Sequence, residues 1–154
     1  MNQLTELIND LESKIPQFEQ TNAAVSAVSV GWHIVHSLMA INKMSDSLRH
    51  SDPNEYQWKF NLIRILVQTM GKIPRGKGKA PESVLPAENF NIQAMNELAA
   101  KSREKIMGLE NLNSRNYLDH PVFGKLKLKH AIKAIYIHTK HHIGIINDII
   151  KKNK

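Results

Sequence analysis

Apolar residues recur every three or four positions along most of this chain, the period of helices that bury one face. Leu4, Ile8, Leu11 and Ile15 predict a first helix over about residues 2–19. Ser29 stands before a long periodic stretch and suits a helix N-cap, so a second helix should run to about residue 49. Ser51-Asp52-Pro53 reads as the start of a third, a cap residue followed by Pro in the first turn. That helix would carry Phe60, Ile63, Leu66, Val67 and Met70. Residues 71–87 hold three Gly and three Pro and predict a loop. Asn89 to Met107 reads as a fourth helix ending at Gly108, residues 111–124 as irregular, and about 126–151 as a long last helix. No stretch alternates with period two for long enough to predict a strand. The expected fold is all-α, a four-helix bundle with an additional helix, in one domain spanning 1–154.

Composition narrows the chemistry. The 154 residues are 42% apolar and 23% charged, a balance that suits a packed core and does not suit disorder. There is no cysteine, which removes disulfide scaffolds, thiolate metal sites and cysteine nucleophiles together. There are eight histidines, so any metal chemistry must rest on imidazole and carboxylate. The net charge of +7 invites a nucleic-acid reading, but the excess is mainly C-terminal, with twelve Lys or Arg against four acids over residues 101–154. Lys125, Lys127, Lys129 and Lys133 read as a solvated helix face. Neither interleaved aromatics nor a recognition-helix turn accompanies them, so no nucleic-acid partner is expected. No apolar run reaches the length of a membrane span, and the acid-bearing N-terminal stretch has no apolar core of a signal peptide. The expectation is a cytoplasmic protein with no membrane partner.

Two histidines occupy an uncomfortable place. On a helical wheel, His138 and His142 fall in the stripe formed by Ala131, Ile135, Ile145 and Ile149, opposite Lys129, Lys133 and Lys140. Their i, i+4 spacing stacks one above the other, about 5–6 Å between Cβ atoms, close enough to share an ion. A single histidine on an apolar face is ordinarily a satisfied core residue. Two in one stripe bring four ring nitrogens that need partners in a low-dielectric interior, and a metal answers one nitrogen of each ring. No Glu stands between them as a zinc-protease helix requires. His141 lies at the edge of the stripe, as a residue behind the ligands or at their boundary. A third ligand would come from the second helix, which offers His33 and His36. The wheel places His33 slightly nearer the main apolar group of Ile34, Leu38, Ile41, Met44 and Leu48, and leaves both open.

The segment Ser29-Val30-Gly31-Trp32-His33-Ile34-Val35-His36-Ser37-Leu38 resembles the signature that opens the second helix of DinB-like (YfiT-type) proteins. His138-Thr139-Lys140-His141-His142 resembles their C-terminal histidine run. His120-Pro121-Val122-Phe123-Gly124-Lys125-Leu126 and Ile73-Pro74-Arg75-Gly76 look like a branch of that superfamily with no assigned function. The resemblance runs over about residues 28–150. It implies a four-helix bundle with a three-histidine divalent metal site at His36, His138 and His142, holding zinc or nickel; His33 and His141 are expected as neighbours, behind that site or competing for it. The usual Trp before the first motif is missing, and Ile143-Gly144-Ile145 replaces the Arg-Gly-Gln that often follows the final His. The likeness therefore bears on fold and metal site more than on thiol transfer.

Three neutral imidazoles leave an ion coordinatively open, able to act as a Lewis acid, and zinc, nickel and copper all accept imidazole. Affinity is expected to fall as the pH drops through about 6.5, where free imidazole protonates. Asp119, Glu110 and Asp148 are the acids considered as a general base, and no motif places any of them. Gly71 to Gly78 superficially fits a phosphate loop but has no Ser or Thr after Lys77 and follows a helix, so nucleotide binding there is rejected. Lys72, Arg75, Lys77 and Lys79 make that loop a solvated turn or, more sharply, a lid whose cations attract an anionic substrate, with Arg75 as the binding residue. Trp32, Trp58 and Phe60 are expected in the core or at helix interfaces. The functional expectation is a metal-dependent enzyme, hydrolase- or thiol-transferase-like, acting on a small anionic or thiol-containing molecule. The alternative is a non-catalytic helical interaction protein, with or without a structural metal, that forms a homodimer through exposed apolar helix faces.

Overall fold

The computed structural model describes residues 2–76, 82–86 and 91–153. Five α-helices account for most of it: α1 (Asn2–Ser13), α2 (Val30–His50), α3 (Leu62–Met70), α4 (Ile92–Met107) and α5 (Leu128–Lys152). Two four-residue strands, β1 (Tyr117–His120) and β2 (Gly124–Lys127), pair antiparallel between α4 and α5. The predominantly helical expectation holds, and the hairpin is a correction to an all-α reading. Strands this short leave too few positions for alternation to register.

The helices begin and end for local reasons. Ser29 caps α2 as its spacing predicts, its Oγ accepting from the Trp32 amide. The first helix stops at Ser13, well short of 19. Pro16 lies just beyond and shapes a single 3-10 turn (Ile15–Gln17), because proline lacks the amide a continuing helix needs and restricts the residue before it. Asp52 and Pro53 start only another such turn (Pro53–Glu55), closed by the Asp52 carboxylate on the Asn54 amide. The true cap of α3 is Asn61, whose Oδ1 accepts from the Arg64 amide. Asn91 caps α4 in the same way through Ala94. The expected start of α4 at Asn89 lies outside the described residues, as do Lys77, Gly78, Lys79 and Pro81 of the basic loop.

Helices α1, α2, α4 and α5 pack on one another, with α2 central between α4 and α5. Their shared core includes Ile8, Leu11, Ile34, Leu38, Ile41, Leu48, Met95, Ile106, Ile135 and Ile146, all fully buried. Arg103 of α4 holds Glu12 of α1, and Lys105 of α4 holds Asp46 of α2. The hairpin is tied to the end of α2 by Asn116, whose Nδ2 donates to the Leu48 and Ser51 carbonyls at 3.0 Å. In the hairpin turn, Gly124 takes φ +66°, and the His120 Nδ1 accepts from the Val122 and Phe123 amides, so His120 is a turn cap. No helix among the described residues is long and apolar enough to cross a membrane.

Helix α3 is the exception to this packing. Of its predicted apolar face only Val67 is buried, while Phe60, Ile63, Leu66 and Met70 are exposed, and so is Trp58. Their expected place in the core is thus corrected. Periodicity reports that a helix has an apolar face and does not report which way the face turns. For the true core, replacing the fully buried Leu38 by Ala should lower unfolding free energy by about 2–5 kcal/mol, measured by urea denaturation.

Candidate metal centre

The contact between α2 and α5 is where the histidines meet. His36, His138 and His142 each offer one ring nitrogen, and these three atoms lie within 4.8 Å of one another. His36 Nε2 and His138 Nε2 are 3.3 Å apart. His36 and His142 are buried and His138 is partly buried. Among the described residues the group contains imidazoles and no carboxylate. Asp148 instead pairs with Arg75, Asp119 is exposed beside Lys125 on the hairpin, and Glu110 is exposed in the turn after α4.

Each ring is held from behind. The His36 Nδ1 lies 2.8 Å from the Val84 carbonyl, which only accepts, so Nδ1 carries the proton and the Nε2 lone pair faces the cluster. The Trp32 ring stacks on His36 at 4.8 Å and 13°, fixing its plane. His142 Nδ1 is 3.0 Å from His33 Nδ1, and His33 Nε2 is 3.0 Å from the Ser26 hydroxyl. Among the described residues the buried Nδ1 of His138 has no partner, and its hydrogen-bonding contact is on the Nε2 side, toward His36. The wheel's slight preference for His33 over His36 is overturned as to position. His33 approaches His142 from behind, and His36 is the residue beside both α5 histidines. Helix α2 is buried around most of its circumference near residues 33–38, and a wheel cannot tell which buried face meets α5.

Burial keeps these rings neutral. His138 falls to about 3, by desolvation first and then by the charges that His36, His141 and His120 would carry. His33 falls to about 4 for the same leading reason, with His36, His141 and Arg75 adding to it. His142 is pushed far below the ordinary imidazole range by burial and by His138, His36 and His33. In His36 burial lowers the value against the raising effect of the Val84 carbonyl. Burial thus disfavours the charged form of all three rings, most strongly in His138 and His142 and in the same direction in His36.

Described residues of the segment after α3 reach this site. Val84 supplies the carbonyl to His36, Ile73 packs against the core, and Arg75 reaches α5, its Nη1 2.7 Å from Asp148 Oδ2. His141, half-buried, meets the His142 ring edge-on at 5.2 Å, and its pKa is lowered by burial and by Arg75. Arg75 is thus committed to an ion pair near the histidines, both partners about half exposed. Residues that sequence reasoning did not single out are Ser26 and Val84. Val84 acts through its backbone carbonyl, which leaves no mark on residue type. No protein-family model, no curated protein and no solved structure matches the chain significantly.

One of the three donor separations matches that required by a small divalent ion, and all three nitrogens lie within 4.8 Å. At bond lengths of about 2.0–2.1 Å, two imidazole nitrogens on a tetrahedral zinc stand roughly 3.3–3.4 Å apart. The His36–His138 nitrogen separation is 3.3 Å, and both rings sit where protonation is unfavourable. Among the described residues, the hydrogen-bonding contact of the His36 Nε2 is with His138.

Proposed function

We propose that His36, His138 and His142 hold one divalent metal ion, zinc or nickel, and that the protein is a metal-dependent enzyme of the DinB-like type. The four-helix bundle of that type is the fold that accompanies this reading. The observation that carries it is the convergence of three neutral imidazoles from two helices, two buried and His138 partly so, with no carboxylate among them in the described residues. An ion held by three imidazoles supplies a Lewis acid with a free coordination position.

The chain's own residues then have distinct tasks. His36 is oriented by the Val84 carbonyl and by Trp32 stacking. His142, binding through Nε2, donates its Nδ1 proton to His33 Nδ1, and His33 donates from Nε2 to Ser26 Oγ. That relay fixes one tautomer for each ring, as carbonyl and hydroxyl partners do behind metal-binding histidines. The loop residues Ile73 and Val84 limit water around the site, and Arg75 provides a cation for an anionic group of a small substrate if it leaves Asp148. The reaction class that fits is hydrolysis or transfer at a polarised oxygen or sulfur.

Calorimetric titration of metal-stripped protein with zinc and with nickel tests this reading. One ion per chain is expected, and no binding would overturn it. His33→Ala should keep the stoichiometry and weaken affinity about 10–100-fold, the usual effect of losing a partner behind a ligand. An unchanged affinity would remove His33 from the relay.

A further inference from the structure

A cavity of about 560 Å³ opens where the extended segment before α3, helix α3 itself, strand β2 and the start of α5 meet. Tyr56, Trp58, Arg64, Gln68, Lys125 and Lys127 are among the residues that line it. None of His36, His138 and His142 does, so it is separate from the candidate metal centre. Three cations line this hollow, and among the described residues no Asp or Glu does.

Arg64 is the most telling of the three. It is only 8% exposed, and a guanidinium is almost never so buried unless an anion pairs with it. Its Nη1 donates to the Phe123 and Lys125 carbonyls at 3.5 and 3.3 Å, and its Nη2 to that of Lys59. Those bonds occupy three of its five N–H groups. Carbonyl dipoles orient the group and leave its net charge uncompensated. Gln68, equally buried, donates from Nε2 to the His130 carbonyl at 2.9 Å and so fixes this side of α3 against α5. Lys125 and Lys127 stand two apart on β2, and therefore on one face of the hairpin. The Lys125 Nζ donates to the Glu55 carbonyl at 2.9 Å and to the Tyr117 hydroxyl at 3.2 Å. Each cation also rests on an aromatic ring. Arg64 lies 5.7 Å from the centre of Trp58, Lys125 4.4 Å from that of Tyr117, and Lys127 4.9 Å from that of Tyr56. Among the described residues none of the three makes an ion pair. Two carboxylates stand nearby. Glu55 meets the Tyr117 hydroxyl at 3.5 Å and Asp119 lies opposite Lys125 in the strand register, but neither lines the cavity. Three like charges gathered round one hollow repel one another, and an anion between them offsets both that repulsion and the burial of Arg64.

An inorganic oxyanion would fill only a small part of this space, whose volume falls in the range of about 300–1,000 Å³ typical of sites for organic molecules. Trp58 is 64% exposed and Tyr56 half-buried, so both keep ring surface open to a flat group. We infer that this cavity binds a small organic anion carrying a flat ring, its oxyanion held by Arg64, Lys125 and Lys127 and its ring laid against Trp58 and Tyr56. Phosphate and carboxylate share the chemistry that these cations recognise. A nucleic-acid strand is gripped along an open basic track, whereas the central cation here is buried in a hollow. This inference is independent of the metal reading.

Titration calorimetry of the full chain tests it, with EDTA present so that no metal in the histidine cluster captures the anion. Adenosine monophosphate and naphthoate are the ring-bearing anions, adenosine the ring without charge, and inorganic phosphate the charge without a ring. One ring-bearing anion per chain is expected, with a dissociation constant below about 1 mM, and the tighter of the two identifies the oxyanion. Adenosine and phosphate should each bind at least about tenfold more weakly. Lys127→Gln and Trp58→Ala, both at exposed residues, should each weaken binding about tenfold with helical circular dichroism unchanged. Lys133→Gln, which removes a charge outside the cavity, should leave the affinity as it is. Binding of neither anion overturns the inference, and so does binding that survives both cavity variants. Phosphate bound as tightly as the ring-bearing anions also overturns it. So does tighter binding of a twelve-nucleotide oligothymidylate at about 150 mM salt, which would make this surface a nucleic-acid interface.

Discussion

On the proposed metal site, replacing His138 or His142 by Ala should abolish stoichiometric zinc binding by the reconstituted protein, while the helical content measured by circular dichroism at pH 7.5 should stay near that of the parent. Partners behind a metal ligand are worth about 10–100-fold in affinity, so loss of a ligand itself should exceed roughly 100-fold. The expectation follows from the donor set. Only three nitrogens converge, and among the described residues no carboxylate stands near to replace one. The fold should tolerate the change, because His138 contributes no polar tie to the core beyond its contact with His36. Its Nδ1 is buried without a partner, and removing the ring removes that unmet donor or acceptor along with the metal. Elemental analysis after reconstitution and desalting reads the outcome directly. Full zinc occupancy in both variants would show that the ion, if bound, lies elsewhere.

The second large effect is on acid stability. The metal-free protein should be most stable above pH 6.5 and lose stability steadily as the pH falls from about 6.5 to about 4. In the unfolded chain histidine protonates near 6.5. In the folded chain burial holds His33 to about 4 and His138 to about 3, and lowers His142 and His36 as well. Between those values and 6.5 the unfolded state binds more protons, so stability rises with pH, by up to about 1.4 kcal/mol per unit for each such histidine. Below the folded-state values both states are protonated and the slope flattens. Thermal melts of metal-stripped protein across pH 7.5 to 4 measure this. The His138→Ala variant should show a shallower decline, because one buried ring no longer has to be kept neutral. Zinc should remain bound down to pH values where free imidazole would already be charged. A melting temperature independent of pH over this range would contradict the burial of these rings.

Much of the site is written in local order. The i, i+4 spacing of His138 and His142 within an apolar stripe marks both as inward-facing, and they are inward-facing, because 3.6 residues per turn leaves that spacing no other option. The cap at Ser29 and the turn role of His120 are similarly local. The choice between His33 and His36 was not legible by periodicity, since both are buried and their faces meet different neighbours. Nor could any pattern of residue types announce the Val84 carbonyl, a backbone group 48 residues from His36.

The same division runs through the fold. Sequence alone determined that the chain is mainly helical, that any metal chemistry would rest on imidazole and carboxylate in the absence of cysteine, and that α5 turns two histidines inward. These depend on interactions within a few turns of helix. Only the tertiary structure decided which histidine of α2 joins them, that residues 117–127 pair as a hairpin, and that α3 turns its apolar side out. Each of those outcomes is a competition between long-range partners. Arg64 and Gln68 find carbonyls 59 to 62 residues away on the hairpin and on α5, and once they are satisfied there the apolar face of α3 has nowhere to point but outward.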